Sequence, residues 1–294
     1  MSVIEAPTTS TIHSGAAHAE RVTTTKLRAM KGRGEKITMV TVYDYSTARI
    51  VDAAGMDAIL VGDSLGQVML GYDSTVPVTM DDMIHHTKAV VRGAQRALVI
   101  GDMPFLSYNI SPEEALRNAG RFMQEAGARA VKLEGAAVAP TVERMVAAGI
   151  PVMGHLGLTP QSINVFGRHR VQGKTREAAV RILEDAIRLE EAGAFALVLE
   201  TVPTPLAALI SRKISIPTIG IGAGAGCDGQ VQVLHDLLGW NIGYTPKHAR
   251  KYADAANTFA AAFEEYIEDV RAGRFPTDDN SFPMDEELLE GLDA

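Results

Sequence analysis

The chain carries one cysteine, Cys227, in 294 residues. One thiol cannot make an intrachain disulfide, so a disulfide-stapled scaffold is excluded and a reducing compartment is expected. Positive charge is not in excess. The formal net charge is -8, with no basic run and no basic–aromatic stripe. A polyanion-binding surface is therefore not expected, and no nucleic-acid partner follows. No stretch approaches the roughly 18 consecutive apolar residues of a spanning helix, so no membrane partner is expected either. Residues 1–21 are rich in Ser, Thr, Ala and His but lack a continuous apolar h-region. They read as a flexible N-terminal tail rather than a signal peptide. The acidic residues 284–294 read as a second loose end, leaving residues 22–283 as one catalytic domain.

What is present is a repeated design. The run Ala58-Ile-Leu-Val61 ends in Gly62, Asp63 and Ser64. The run Ala97-Leu-Val-Ile100 leads to Gly101 and Asp102, Ala130-Val-Lys-Leu-Glu134 carries Lys132 and Glu134, and Ala196-Leu-Val-Leu199 ends in Glu200. Short apolar runs bounded by glycine read as buried parallel strands. An ionisable group at the end of such a strand is poorly explained by packing, because buried charges need a partner or a metal.

Taken in order, strands are predicted at residues 37–42, 58–61, 97–100, 130–134, 151–155, 196–200, 217–221 and 230–234, the last ending at His235 and Asp236. Helices are predicted between most of them. Ser46 is expected to cap the helix through residue 54, Thr79 opens one with Asp81 and Asp82 in its first turn, and Ser111-Pro-Glu-Glu114 is a strong start signal. Ala-Gly pairs at residues 54–55, 126–127, 148–149 and 192–193 mark helix ends feeding strands. Further helices are expected at 175–192, 203–213 and 247–272, and loops at 65–77 and 156–173. Eight strands alternating with helices indicate a TIM (β/α)8 barrel, in keeping with the aliphatic, aromatic-poor composition. Reactive groups of such barrels come from the C-terminal strand ends, where Asp63, Ser64, Asp102, Lys132, Glu134, His155 and Glu200 all fall.

Asp63, Asp102 and Glu134 end consecutive strands. Three converging carboxylates repel unless a cation or proton intervenes, and an all-oxygen set points to Mg²⁺. The competing reading is that each acid caps a helix or pairs with a lysine. Lys132 shares a strand face with Glu134, which suits it to a substrate carboxylate or to a structural ion pair. Glu200, on the opposite wall in apolar surroundings, is the candidate general base, with helix capping as the plainer role. His155 lines the mouth or is a satisfied structural histidine. His85 and His86 fall inside a helix and read as a solvated or packing pair. Gly224-Ala-Gly-Cys-Asp-Gly229 matches a dinucleotide fingerprint in form only, because a strand rather than a helix follows. A phosphate cradle or a tight turn are the remaining readings of that run.

Read together, Thr41-Val-Tyr-Asp-Tyr-Ser46, Leu60-Val-Gly-Asp-Ser-Leu-Gly66, Asp73-Ser-Thr-Val-Pro77, Asp102-Met-Pro-Phe105, Val131-Lys-Leu-Glu-Gly135, Gly154-His-Leu-Gly-Leu-Thr-Pro-Gln-Ser162, Val171-Gln-Gly173, Leu199-Glu200 and Ile219-Gly-Ile-Gly-Ala-Gly224 resemble the ketopantoate hydroxymethyltransferase family. The likeness covers residues 25–282. A His-Ser-Phe signature of that family reads Asn280-Ser-Phe282 here, so the tail histidine is absent and no catalytic role is assigned there. The resemblance implies a Mg²⁺-dependent TIM barrel that moves a hydroxymethyl group from 5,10-methylenetetrahydrofolate to 3-methyl-2-oxobutanoate, giving 2-dehydropantoate for pantothenate synthesis. It implies metal-site acids at Asp63, Asp102 and Glu134, 2-oxo acid contacts from Asp63, Ser64, Asp102 and Lys132, and a proton acceptor at Glu200. It also implies a cytoplasmic homo-oligomer, commonly a decamer. The alternatives are a Mg²⁺-dependent carbon–carbon lyase or phosphoenolpyruvate mutase-like barrel, for which Cys227 is a poor catalytic thiol, and a non-catalytic barrel that gives Glu200 no purpose.

Overall fold

The eight strands are β1 (Ile37–Thr41), β2 (Ala58–Val61), β3 (Leu98–Asp102), β4 (Ala130–Glu134), β5 (Val152–Gly157), β6 (Ala196–Glu200), β7 (Thr218–Ile221) and β8 (Gly229–Gln232). All pair in parallel in sequence order, and β8 returns to β1, so the expected TIM barrel closes. The structure is a computed structural model that describes residues 20–243 and 245–292. The N-terminal tail expectation therefore lies almost wholly outside the described residues, as do the last two positions of the acidic end.

Strand alternation divides the barrel interior into layers. Leu98, Ile100 and Asp102 share one face of β3, as do Ala130, Lys132 and Glu134 on β4, and Ala196, Val198 and Glu200 on β6. The lower residues of these series join Ile37, Met39, Ala58, Leu60, Met153, Ile219 and Val231 in one buried apolar cluster. Val22, Leu27 and Met30 belong to the same cluster, the last two from the helix Thr24–Arg33. The charged residues are the next layer of the same faces, toward the C-terminal strand ends. The register sets Asp102 beside Lys132, Glu134 beside His155, and Gly157 beside Glu200.

The helices form where their caps direct. Thr79 and Asp82 make a reciprocal capping box for Met80–Gly93, and Ser111 caps Pro112–Gln124. Gly55 and Gly193, with φ of +89° and +94°, turn helix ends toward β2 and β6. Several local details differ from the sequence reading. Asp44, not Ser46, caps Tyr45–Ala53, its Oδ1 accepting from the Ser46 and Thr47 N–H groups at 2.8 and 3.0 Å. A carboxylate there also complements the helix dipole, which a hydroxyl cannot. The expected loop 65–77 contains the one-turn helix Leu65–Val68, and the loop after β5 contains Pro160–Ser162 and Ile163–Phe166. β8 ends earlier than expected, and His235 and Asp236 begin the helix Leu234–Leu238.

No helix among the described residues separates β7 from β8. The glycine-rich segment makes that crossover directly. A Cβ on Gly224 would stand 2.5 Å from Thr204, and one on Gly226 would stand 2.6 Å from Ala208 Cβ, so these glycines let the segment pack on the helix Thr204–Lys213. Close packing accounts for these two glycines.

The chain divides into two compact units, residues 1–234 with 246–249, and residues 235–245 with 250–294. In the second, His235 stacks on Trp240 at 4.9 Å and Phe259 meets Trp240 edge-on at 5.3 Å. Its helix Ala255–Arg271 is shorter than the span expected from sequence. Phe259, Phe263, Tyr266, Ile267 and Val270 recur on it at helical spacing and are exposed in the single chain.

Candidate active site

The upper layer of the barrel is buried and charged: Asp63, Asp102, Lys132, Glu134 and His155 are all removed from solvent. Lys132 Nζ donates to Asp102 Oδ1 at 2.6 Å and lies 3.7 Å from Glu134 Oε1. Asp102 Oδ2 accepts from the Asp63 N–H at 3.2 Å. Burial, and then repulsion by Asp102, raises the Asp63 carboxyl well above the usual carboxylate range, with Lys132 opposing. Burial likewise raises Asp102 against the pull of Lys132. Burial disfavours the Lys132 ammonium, but Asp102, Glu134 and Asp63 outweigh it and keep the group protonated. Burial also works against the Glu134 carboxylate, yet His155, Lys132 and the Gln161 N–H hold it below its ordinary range.

His155 stands between two carboxylates, with Nδ1 3.2 Å from Glu134 Oε1 and Nε2 3.3 Å from Glu200 Oε2. Neither ring nitrogen meets hydrogen-bond geometry, so the contact is charge to charge. Burial and Lys132 lower the imidazole, but the flanking carboxylates prevail and raise it to about 9. This corrects the expectation of apolar surroundings for Glu200: one imidazole separates it from Glu134. Four carboxylates (Asp63, Asp102, Glu134, Glu200) against two cations (Lys132, His155) leave a formal charge of −2 when all are ionised, 2 − 4. A divalent cation would balance it.

Glu200 is only partly covered, its side chain 15% exposed at the rim of the buried layer. The next residue, Thr201, has φ +53°, a left-handed conformation that is rare for a β-branched residue. It is held there by its N–H donating to Ile221 O at 2.8 Å and its carbonyl accepting from Gln172 N at 3.0 Å. Thr201→Gly should relieve this strain, raising stability by about 1 kcal/mol, while loosening Glu200 and lowering turnover. Thermal unfolding and turnover measured side by side check it; a variant that loses both shows that Thr201 packs rather than positions.

Ser64 joins a hydroxyl chain. Its Oγ lies 2.9 Å from Tyr43 Oη, itself 2.7 Å from Thr41 Oγ1. His86 Nδ1 is hydrogen-bonded to Tyr43 O at 2.7 Å and the residue is half-buried, while His85 is exposed. Cys227 is buried and burial pushes its thiol up, the reverse of an activated nucleophile.

Two site residues escaped sequence reasoning, Tyr108 and Gln161. Gln161 Nε2 donates to Asp63 Oδ2 and Met103 O, both at 2.9 Å, and its backbone N–H donates to Glu134 Oε2 at 3.1 Å. Tyr108 Oη donates to Gln161 Oε1 at 2.5 Å and accepts from the Glu134 N–H at 3.2 Å. The available signal was the length of the segment after β5, which marked it as functional without saying which residue turns inward.

Among the described residues no three His, Cys, Asp or Glu side chains are arranged as a ready metal-ligand cluster. Lys132 and Gln161 occupy oxygens that a three-carboxylate site would use. The donor set therefore fits a hard cation that takes only part of its shell from these carboxylates, with water and substrate oxygens completing it.

Comparisons with known proteins give the family and the fold. A relative from Dehalococcoides mccartyi named 3-methyl-2-oxobutanoate hydroxymethyltransferase is 60% identical over 273 residues, 92% of this chain and 97% of the relative. One of the same name from Acetivibrio thermocellus is 56% identical over 275 residues, covering 93% and 97%. Among solved structures, 2,3-dimethylmalate lyase, a member of the PEP mutase/isocitrate lyase superfamily, superposes with TM-score 0.56 at 16% identity over 94% of this chain and 93% of that one. Phosphonopyruvate hydrolase, solved with oxalate and Mg²⁺, gives 0.57 at 13% identity over 92% and 94%. These two share the fold. The ketopantoate hydroxymethyltransferase family profile matches residues 21–278, and the chain belongs to that family of enzymes.

Proposed function

We propose that this barrel transfers a hydroxymethyl group from 5,10-methylenetetrahydrofolate to 3-methyl-2-oxobutanoate, giving 2-dehydropantoate for pantothenate synthesis. The observation that carries the proposal is the division of the mouth: Asp63, Asp102 and Lys132 gather on one side, and Glu200 lies at the rim, joined to them through His155 and Glu134. The family name supports the substrate.

Mg²⁺ suits the site, with Asp63 and Asp102 the acids best placed to hold it and Glu134 completing the set directly or through water. When bound, the metal supplies a Lewis acid that polarises the 2-oxo group and lowers the cost of charge developing there. The Lys132 ammonium, buried and kept protonated, holds the substrate carboxylate. The Ser64 hydroxyl, fixed by Tyr43, adds a hydrogen bond to it. Glu200 takes the proton from C3. The resulting carbon nucleophile bonds to the one-carbon unit, water supplies its hydroxyl oxygen, the two C–N bonds that held the unit to folate break, and the two nitrogens of the departing tetrahydrofolate take up the proton from Glu200 and one from water. Incubating the chain with both substrates and Mg²⁺ should yield 2-dehydropantoate; cleavage of a carbon–carbon bond without folate would favour the lyase reading instead.

The metal assignment gives a pH-dependent expectation. Asp63 and Asp102 have raised carboxyls in the metal-free fold. Groups raised in the folded state contribute stability that is present below the unfolded value, 3.8 here, and is lost as pH rises through the folded value. Mg²⁺ should therefore raise the melting temperature more near pH 8 than near pH 5, and most of that gain should vanish in Asp102→Asn. Equal shifts at both pH values would place the cation elsewhere.

The protein is further proposed to act in the cytoplasm as a homo-oligomer, commonly a decamer in this family. The exposed stripe of Phe259, Phe263, Tyr266 and Ile267 supports self-association, since apolar patches of this kind mark interaction surfaces. Among the described residues no helix is long and apolar enough to cross a membrane. Light scattering of the intact chain reads the assembly directly. Residues 1–21 and 284–294 are proposed to be dispensable tails, and turnover of a doubly truncated chain tests this.

A further inference from the structure

We infer that Gln161 is the positioning residue of the metal-side acids, gripping Asp63 with its side chain and Glu134 with its backbone, and that Tyr108 locks its amide. The inference rests on the metal reading above. Asp63 and Glu134 lie 98 and 27 residues from Gln161 in sequence, yet each accepts a hydrogen bond from it, through Oδ2 of Asp63 and Oε2 of Glu134. The amide has one workable orientation. Nε2 faces two acceptors, Asp63 Oδ2 and Met103 O, while Oε1 faces the Tyr108 hydroxyl. A flipped amide would set Oε1 against both acceptors and turn Nε2 toward Tyr108 Oη, which already accepts from the Glu134 N–H. Tyr108 has one hydroxyl proton and gives it to Gln161, which fixes the choice.

All four residues are buried, so no water substitutes for these bonds at low cost. One oxygen of each acid is thereby committed to Gln161, and the other is turned away from it. Glu134 Oε1, the uncommitted oxygen, faces Lys132 and His155 and has no aligned hydrogen-bond donor. Gln161 thus decides which carboxylate oxygens remain for a cation.

Two variants test this. Gln161→Met keeps length and volume but removes the side-chain bonds to Asp63, Met103 and Tyr108, leaving the backbone bond to Glu134 in place, and Tyr108→Phe removes one hydroxyl. Titration calorimetry with Mg²⁺ alone, on intact folded protein, should show affinity falling about 10–100-fold in Gln161→Met, the usual effect of removing a partner that orients a metal ligand. Tyr108→Phe should fall in the same direction by less, and the double variant should be no worse than Gln161→Met, because both act through one amide. kcat should fall with the metal affinity, and excess Mg²⁺ should restore part of it. If both variants fold and bind Mg²⁺ with the parental Kd, Gln161 is structural only and the inference is overturned. A parent that does not bind Mg²⁺ overturns the metal reading itself, which separates the two failures. Should Gln161→Met not fold, Tyr108→Phe alone decides, since parental Mg²⁺ affinity there contradicts the lock.

Discussion

Replacing Lys132 with methionine is expected to cost about 3–5 kcal/mol of folding stability near neutral pH, the usual penalty for stranding buried charge. Lys132 donates to Asp102 at 2.6 Å and stands 3.7 Å from Glu134, with its side chain 4% exposed. Methionine fills the space but leaves Asp102 without its cation, and Glu134 with His155 alone, at 3.2 Å. The loss should depend on pH. Asp63 and Asp102 are already raised, and removing the ammonium, which holds both down, raises them further. A carboxyl raised in the fold binds its proton more readily there than in the unfolded chain, so stability recovers as pH falls toward its ordinary 3.8. Urea unfolding at about pH 5 and pH 8 should show a smaller deficit at the lower pH. A variant as stable as the parent at both would mean that Asp102 is neutral in the fold and that the site carries less charge than argued. The variant should also lose binding of the substrate carboxylate, seen as a rise in KM.

Glu200→Gln should separate the base from the metal. The amide keeps the size of the side chain but cannot accept a proton. Mg²⁺ and 3-methyl-2-oxobutanoate should bind almost normally, since Glu200 stands beyond His155 from the metal-side acids. Exchange of the C3 proton should fall about 10²–10⁴-fold, the range for loss of a positioned general base. Asp102→Asn should instead weaken metal binding and turnover together, and extra Mg²⁺ should rescue it in part while leaving Glu200→Gln unchanged. Parental exchange in Glu200→Gln would move the role to His155, whose Nε2 is 3.3 Å from the Glu200 carboxylate.

The parts of this architecture that sequence made legible are those governed by strand periodicity. Lys132 and Glu134 are two residues apart on one strand, so their shared face followed from alternation, and β4 places both inside the barrel. Asp102 and Glu200 continue apolar series, Leu98–Ile100 and Ala196–Val198, that could be read directly as barrel interior. What stayed hidden depends on side-chain direction in irregular segments. Tyr108 and Gln161 meet across 53 residues from two loops, and no spacing rule connects them. His155 shares the Glu134 register, yet its place between two acids required knowing how β5 and β6 align. The glycine run after β7 left a phosphate cradle and a tight turn both open, because phosphate binding and close backbone packing demand the same residue. Asp44 and Ser46 are both good caps, and only the helix start distinguishes them.

In the proposed reaction the charged mouth abstracts the C3 proton of a 2-oxo acid with help from a metal. The most direct measurement is deuterium exchange at C3 of 3-methyl-2-oxobutanoate in D₂O, with tetrahydrofolate lacking its methylene so that no product forms. Exchange should occur with Mg²⁺, stop when the metal is chelated, and collapse in Glu200→Gln. Exchange that continues at the same rate after chelation, or product formed by a chain that never exchanges the proton, would contradict the account.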